Sequence, residues 1–354
     1  MKVLIVGDWH SDLHEEELLK SLTRLGHQVS AFKWFKYLQV PPGMRKTLKG
    51  LFRRAQNKYL AGPNIAKINK DLKSEALCEK PDVIFVYRGT HIQANTIRAI
   101  KEKLPDCKLI GYNNDDPFSP RQPKYYWRHF IRSIPVYDLV LAYRKHNLED
   151  FKNAGAQKVD LLRSWYVPDR NYPVILDAAD KLKYETDVVF VGHYEDDGRL
   201  DYLEEVVKQG YQLKIFGPEE TWVEPLKRSS ILKSLQPIHK VWGEEYNKAL
   251  CGAKIALCFL SKLNRDTYTR RCFEIPATRT LMLAEHTEDL ALLYVDGSEV
   301  VLFRDVKDFA GKLNEILSDD QLLNYIRAAG HEKAISAGYD IDSRIGQIFN
   351  KIKI

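Results

Sequence analysis

Residues 3–32 read VLIVGDWHSDLHEEELLKSLTRLGHQVSAF, and residues 188–216 read VVFVGHYEDDGRLDYLEEVVKQGYQLKIF. The two stretches follow one plan. An apolar run ends at a glycine, Gly7 or Gly192, and a polar loop follows. A helical stretch then stops at a second glycine, Gly26 or Gly210, before another apolar run. Continuous apolar runs predict strands buried on both faces, as in a parallel sheet. A glycine just past a helix meets the left-handed C-terminal cap without strain. Strand, loop, helix and strand make a βαβ unit. Two such units half a chain apart predict two Rossmann-like lobes.

Working outward, 81–89, 107–115 and 137–144 read as further strands of the first lobe, with helices near 65–79 and 92–103. In the second lobe, strands fit 254–260, 280–284 and 299–303, and helices fit 245–251, 270–278, 306–317 and 319–337. Alternating strands and helices imply doubly wound α/β sheets. The stretch 163–183 lacks periodicity and reads as a linker. The expected domains are 1–168, 169–338 and a tail, 339–354, whose Ile341, Ile345, Ile348, Phe349 and Ile352 recur at helical spacing and need a surface to cover.

A chain of 354 residues fits two cores better than one. With 44% hydrophobic and 29% charged residues it reads as folded and globular, and a net charge of +6 favours anionic ligands or surfaces. The five cysteines, Cys78, Cys107, Cys251, Cys258 and Cys272, lack CxxC spacing and are expected as buried free thiols. The opening MKVLIVGD is too short for a signal h-region, and no run reaches the roughly 20 apolar residues of a membrane span. The expectation is a cytoplasmic chain, at most peripheral to a membrane.

Ligands of open parallel sheets lie beyond the carboxyl ends of the strands, and two facing sheets would hold theirs in a cleft. That rule selects five loops. In the first, Gly7 to His14, Trp9 offers a face for a sugar, and Asp8, His10 and His14 are candidate bases. The same residues also read as a capped helix start, with Ser11 or Asp12 as cap and Glu15 and Glu16 favourable to the dipole. The second and third, Arg88-Gly89-Thr90-His91 and Asn113-Asn114-Asp115-Asp116-Pro117, place Arg88, His91, Asn114 and Asp115 as acceptor contacts and Asp116 as a base, although NNDDP also reads as a turn. In the fourth, Gly192 allows close approach of a phosphate, with His193 and Arg199 compensating Glu195, Asp196 and Asp197. The fifth, Asn264 to Ala277, gathers Arg265, Arg270 and Arg271 with Thr267 and Thr269 before a helix. Arginine forks match phosphate oxygens, and a helix start adds its dipole. Glu274, eight residues after Asp266, suits a ribose diol or a sugar hydroxyl.

The run RRCFEIPATRTLMLAEHTEDLALLYVDGSEVVLFRDVKDFAGKLNEIL resembles the last third of GT-B glycosyltransferases, closest to the CgeB-like group with its R-x-F-E-I-P-A helix. The resemblance covers residues 185–345 well and the first lobe only through GDWHSDLH and the strand pattern. It implies two facing lobes with a C-terminal helix returning to the first. The second lobe would bind a nucleotide-sugar whose sugar passes to a hydroxyl of a glycan, lipid-linked or other acceptor. No metal or other cofactor is implied, because basic side chains and a helix dipole stabilise the leaving diphosphate. Glu274 falls on the ribose-binding acid of related retaining enzymes, and Asp266 stands near the sugar-side acid, where glutamate is usual. Gly192, His193, Arg199, Thr269, Arg270, Arg271 and Glu274 become the donor set. His193 replaces a common arginine, Arg199 falls near a lysine position, and Thr278-Arg279 stands where a small residue is usual. The Asp266/Glu274 spacing inclines the expectation toward retention of configuration.

Residues 45–58, RKTLKGLFRRAQNK, hold six basic residues and no acidic one, and a basic amphipathic helix here suits an anionic membrane. Aromatic residues are not interleaved with this run as in a nucleic-acid module, so nucleic acid is not the expected partner. Two rival functions fit the fold. An NAD-dependent oxidoreductase or epimerase would need a dinucleotide glycine fingerprint that neither loop has. A non-catalytic nucleotide-sugar-binding protein would share the site without turnover.

Overall fold

The computed structural model describes residues 1–10, 12–40, 43 and 47–352. The chain forms two compact units: Met1–Arg163 together with the segment from Ile341, and Ser164–Asp340. The first division falls a few residues before the expected 168.

The first unit is built on a parallel sheet in the order β2-β1-β3-β4-β5-β6. Its strands are β1 (Lys2–Gly7), β2 (Gln28–Lys33), β3 (Val83–Tyr87), β4 (Lys108–Asn113), β5 (Leu139–Ala142) and β6 (Val159–Leu161). All five residues of β3 are buried, as its unbroken apolar run requires. Leu4, Val6, Ile84, Val86, Ile97, Leu109 and Phe130 share one core. The second unit has a parallel sheet in the order β11-β10-β9-β7-β8. These strands are β7 (Thr186–Val191), β8 (Leu213–Phe216), β9 (Ala253–Cys258), β10 (Leu281–Glu285) and β11 (Val301–Phe303). Phe190, Trp222, Phe259 and Phe303 lie in its core. In both units the helix after the first strand stops at the expected glycine, Gly26 at φ 81° and Gly210 at φ 85°.

The tail forms the helix Ile341–Ile352 and belongs to the first unit, which matches the expected return. It buries Ile341, Ile345, Ile348 and Phe349. Asp342 accepts both arms of Arg24 from the helix Glu15–Arg24, at 2.7 and 2.8 Å. Phe349 packs on His27 with ring centroids 5.3 Å apart, and Lys351 pairs with Asp160 of β6 at 2.6 Å.

Strand β6 and the helices Lys124–Ser133, Asn147–Asn153, Ala178–Tyr184 and Glu219–Arg228 go beyond the sequence reading. The last contains Pro225, a residue that normally argues against a helix interior. All five cysteines are free thiols. Cys107, Cys258 and Cys272 are buried, Cys251 is half-buried, and Cys78 is exposed, contrary to expectation.

Candidate active site

Each sheet reverses direction beside its first strand, between β1 and β3 in one unit and between β7 and β9 in the other. The crevice beyond the carboxyl ends of such strands is where doubly wound sheets take ligands.

In the first unit, Gly7 ends β1 against the Glu15 carboxylate, and a methyl group at Gly7 would overlap it. Glu15 is almost fully buried and accepts the Asp8 backbone N–H at 3.0 Å. Burial first, then the neighbouring Asp8 charge, push its carboxyl up to about 7. Asp8 accepts the His10 backbone N–H at 2.9 Å. Its other oxygen stands 3.8 Å from Arg88 Nη1, while Arg88 Nη2 holds Asp115 at 2.6 Å. Arg88 thus clamps the β1 and β4 loops from the end of β3, at a positive φ of 63°. Burial opposes its charge, and the groups around it, Asp115 first, then Tyr126 and Asp8, more than offset that cost. Trp9 lies beside this clamp in sequence, with the Lys33 ammonium 4.2 Å from its ring. His10 is exposed against Phe35, with ring centroids 4.9 Å apart. His14 occupies the cap position of the helix Glu15–Arg24 without a side-chain cap bond, and tilts onto Tyr87. That removes Asp12 as the cap; Ser11 lies outside the described residues.

Two expected site residues of this unit are buried elsewhere. Asp116 has no exposed surface. Its carboxylate accepts from the Phe118 N–H and from Asn147 Nδ2, both at 3.0 Å, so it organises the turn and cannot reach an acceptor as a base. His91 packs against Trp34 and bonds Thr90 Oγ1 at 2.8 Å, and burial lowers its pKa to about 4. It is a neutral core ring. Asn114 is half-buried, and its carbonyl accepts from Arg144 at 3.2 Å.

In the second unit, Gly192 follows β7 directly, and its carbonyl accepts the Trp222 indole N–H at 2.9 Å. Gly217 packs so closely on that carbonyl that a side chain there would overlap it. Glu195 joins the two loops at the sheet reversal, accepting from His193 Nε2 at 3.0 Å and from Ser261 Oγ at 2.9 Å. Burial would raise its pKa, but the bonds from His193 and Ser261 and the Arg199 charge bring it below the usual range. His193 itself is exposed.

The three arginines of the donor set part company. Arg199 is buried, with its Nε and Nη2 on Asp197 at 2.8 and 2.5 Å and Nη1 on the His193 carbonyl at 2.6 Å. It braces the acidic loop from inside, which corrects its assignment to the diphosphate. Arg270 donates to Glu274 Oε1 at 2.5 Å, and Tyr246 donates to Oε2 at 2.8 Å. Arg270 therefore holds Glu274 in this structure. Arg271 differs from both. Its guanidinium lies 5.9 Å from the Phe190 ring centroid, close enough to Gly192 that a methyl there would crowd Nη1. Its buried Nε has no hydrogen-bond partner among the described residues. Thr269 precedes the helix Arg271–Ala277, its N–H on the Cys272 thiol at 3.4 Å. The Asp266 backbone N–H bonds the Ser261 carbonyl at 2.9 Å.

Sequence reasoning missed Ser261 and Tyr246, and read Glu15 only as favourable to a helix dipole and Glu195 only as a charge to be compensated. The usable signal for Glu15 was Gly7, a strand-end glycine without a left-handed φ, which implies close approach of another group.

A glycosyl transferase-like family model matches residues 199–350. Sucrose-phosphate synthase from Thermosynechococcus elongatus superposes with a TM-score of 0.68 at 12% identity, covering 99% of both chains. HepE of Anabaena, solved in complex with UDP-glucose, gives 0.66 at 13% identity, covering 100% of this chain and 99% of its own. A glycosyltransferase from Rickettsia africae gives 0.68 at 15%, covering 99% and 97%. The fold is GT-B. In GT-B terms the Arg271–Ala277 helix and the Gly192 loop belong to the second Rossmann-like unit. No curated protein sequence matches the chain. Among the described residues no helix is long and apolar enough to cross a membrane.

Proposed function

We propose that this GT-B chain is a glycosyltransferase that moves a sugar from a nucleotide-sugar to a hydroxyl of a glycan, lipid-linked or other acceptor. The observation that carries the reading is Arg271. Its fork is packed beside Gly192 at the carboxyl ends of β7 and β9, and no ion pair to it is found among the described residues. A fixed guanidinium at that place suits the charge that develops on a leaving diphosphate. His193 adds an exposed imidazole at the same strand end. Glu274 keeps a role, because a carboxylate has about four acceptor sites and the Arg270 and Tyr246 bonds occupy two. The remaining sites suit a ribose diol. In the first unit, Asp8, His10 and Asp115 are the candidate acceptor-side groups, and the CgeB-like resemblance of the Arg271–Ala277 helix belongs to the same proposal. The Asp266/Glu274 spacing supports a slight lean to retention of configuration, and the Arg271 guanidinium supports independence of metal.

HepE was solved with UDP-glucose, so a uridine donor is the first to try. The test is a panel of UDP-, GDP- and dTDP-sugars, read by release of nucleoside diphosphate in the wild type and in Arg271→Ala. Release with one donor, lost about 100-fold in the variant with its fold retained, supports the site. Wild-type turnover in Arg271→Ala removes it, and tight donor binding without any release favours a non-catalytic binder.

A further inference from the structure

The helix Leu48–Tyr59 is mounted inside out. Leu48, Leu51, Phe52, Ala55 and Tyr59 fall on one face at helical spacing. Such a stripe normally turns toward a core, yet Leu48 is 85% exposed, Leu51 50%, Phe52 60% and Tyr59 52%. The polar side faces the protein instead. Asn57 donates to the Leu38 carbonyl at 2.7 Å, Arg53 to the Tyr37 carbonyl at 3.3 Å, and Gln56 accepts the Asn64 N–H at 3.0 Å. Arg128 fixes the far end by donating to the carbonyls of Tyr59 and Leu60. The orientation is therefore held by specific bonds to a polar face. Tyr59 meets Tyr125, also exposed, with ring centroids 6.0 Å apart, which extends the apolar stripe onto a second helix.

Charge narrows what can cover this face. Lys49, Arg54 and Lys58 are exposed along the flanks, and the helix has no acidic residue. Lys124 and Arg121 stand exposed near Tyr125 in sequence. A second copy of the helix would bring like charges together. A surface of anionic headgroups over acyl chains matches both the flanks and the stripe. We propose that the helix Leu48–Tyr59 docks the first unit on an anionic membrane surface, with Leu48, Leu51 and Phe52 entering the headgroup boundary. The expected contribution of Arg45 and Lys46 lies outside the described residues. This inference is independent of the transferase reading, because it concerns where the chain rests and not what it transfers.

The test is flotation of the full chain with vesicles of phosphatidylcholine alone or mixed with phosphatidylglycerol, at low and high salt. The expected result is at least tenfold stronger binding to the anionic vesicles, weakened by salt. It should fall tenfold or more in Leu51→Glu/Phe52→Glu, with the thermal midpoint unchanged. Equal binding to both vesicle types, no binding, or unchanged binding by the double variant overturns the proposal. So does a wild-type dimer that the double variant converts to monomer without altering flotation. Nucleoside diphosphate release in lipid-free buffer is measured alongside, so that loss of docking and loss of transferase activity are read separately.

Discussion

Arg270 and Glu274, one helical turn apart, hold each other at 2.5 Å while Tyr246 takes the second carboxylate oxygen. Both charged side chains are mostly shielded, so removing one leaves the charge of the other less compensated. Arg270→Ala is expected to cost roughly 2 kcal/mol in denaturant unfolding, somewhat below the cost of breaking a fully buried pair. The double variant Arg270→Ala/Glu274→Ala should cost less than the sum of the singles. Additive losses would show that the pair is not coupled.

Arg199 and Asp197 form the more deeply buried pair, with side chains 2% and 3% exposed. Arg199→Gln is expected to lower stability by roughly 3 kcal/mol, through the carboxylate left behind. Thermal melts and donor turnover should rank Arg199→Gln and Arg271→Ala in opposite orders.

Glu15 gives the first unit a pH signature. Its folded pKa of about 7 lies above the usual carboxylate value, so the native state binds the extra proton between the two. Its contribution is fully present below about 4.5 and is lost as pH rises through 7. Glu15→Gln keeps the acceptor for the Asp8 N–H and removes the charge. It should therefore stabilise the protein by about 3 kcal/mol at pH 8 and hardly at pH 4. Chemical unfolding at both pH values decides it, and an equal gain at both would refute the assignment.

Donor turnover should survive a chelator. With Arg271 supplying fixed positive charge, release of nucleoside diphosphate in excess EDTA is expected within about twofold of the untreated rate, too small to count as loss of a charge-stabilising donor. Restoration of a lost activity by one divalent cation would overturn metal independence.

The two βαβ openings were legible because continuous apolar runs and helix-ending glycines are local signals. The helix Arg271–Ala277 was also legible, and the i,i+4 spacing of Arg270 and Glu274 already put them on one face. What could not be read was which cations are neutralised. Arg199 meets Asp197 only because the loop 193–198 folds back on itself, and that geometry has no sequence period. Asp116 looked like an exposed acid because its partner Asn147 lies 31 residues away. For the helix Leu48–Tyr59, periodicity located the apolar stripe but not the side it faces; hydrogen bonds from Arg53 and Asn57 to a distant segment decide that.

The helix Ile341–Ile352 closes the first unit with residues synthesised after the whole second unit. Vectorial synthesis thus presents an order of completion opposite to the order of the sequence. The second unit has its whole sheet by β11, while the Glu15–Arg24 helix still awaits the helix Ile341–Ile352 that Arg24 and Asp342 tie to it. Removing Phe349 as Phe349→Ala, at a cost of about 3 kcal/mol, should therefore loosen the amino-terminal unit first. Limited proteolysis would then cut near the Glu15–Arg24 helix for a lesion far downstream.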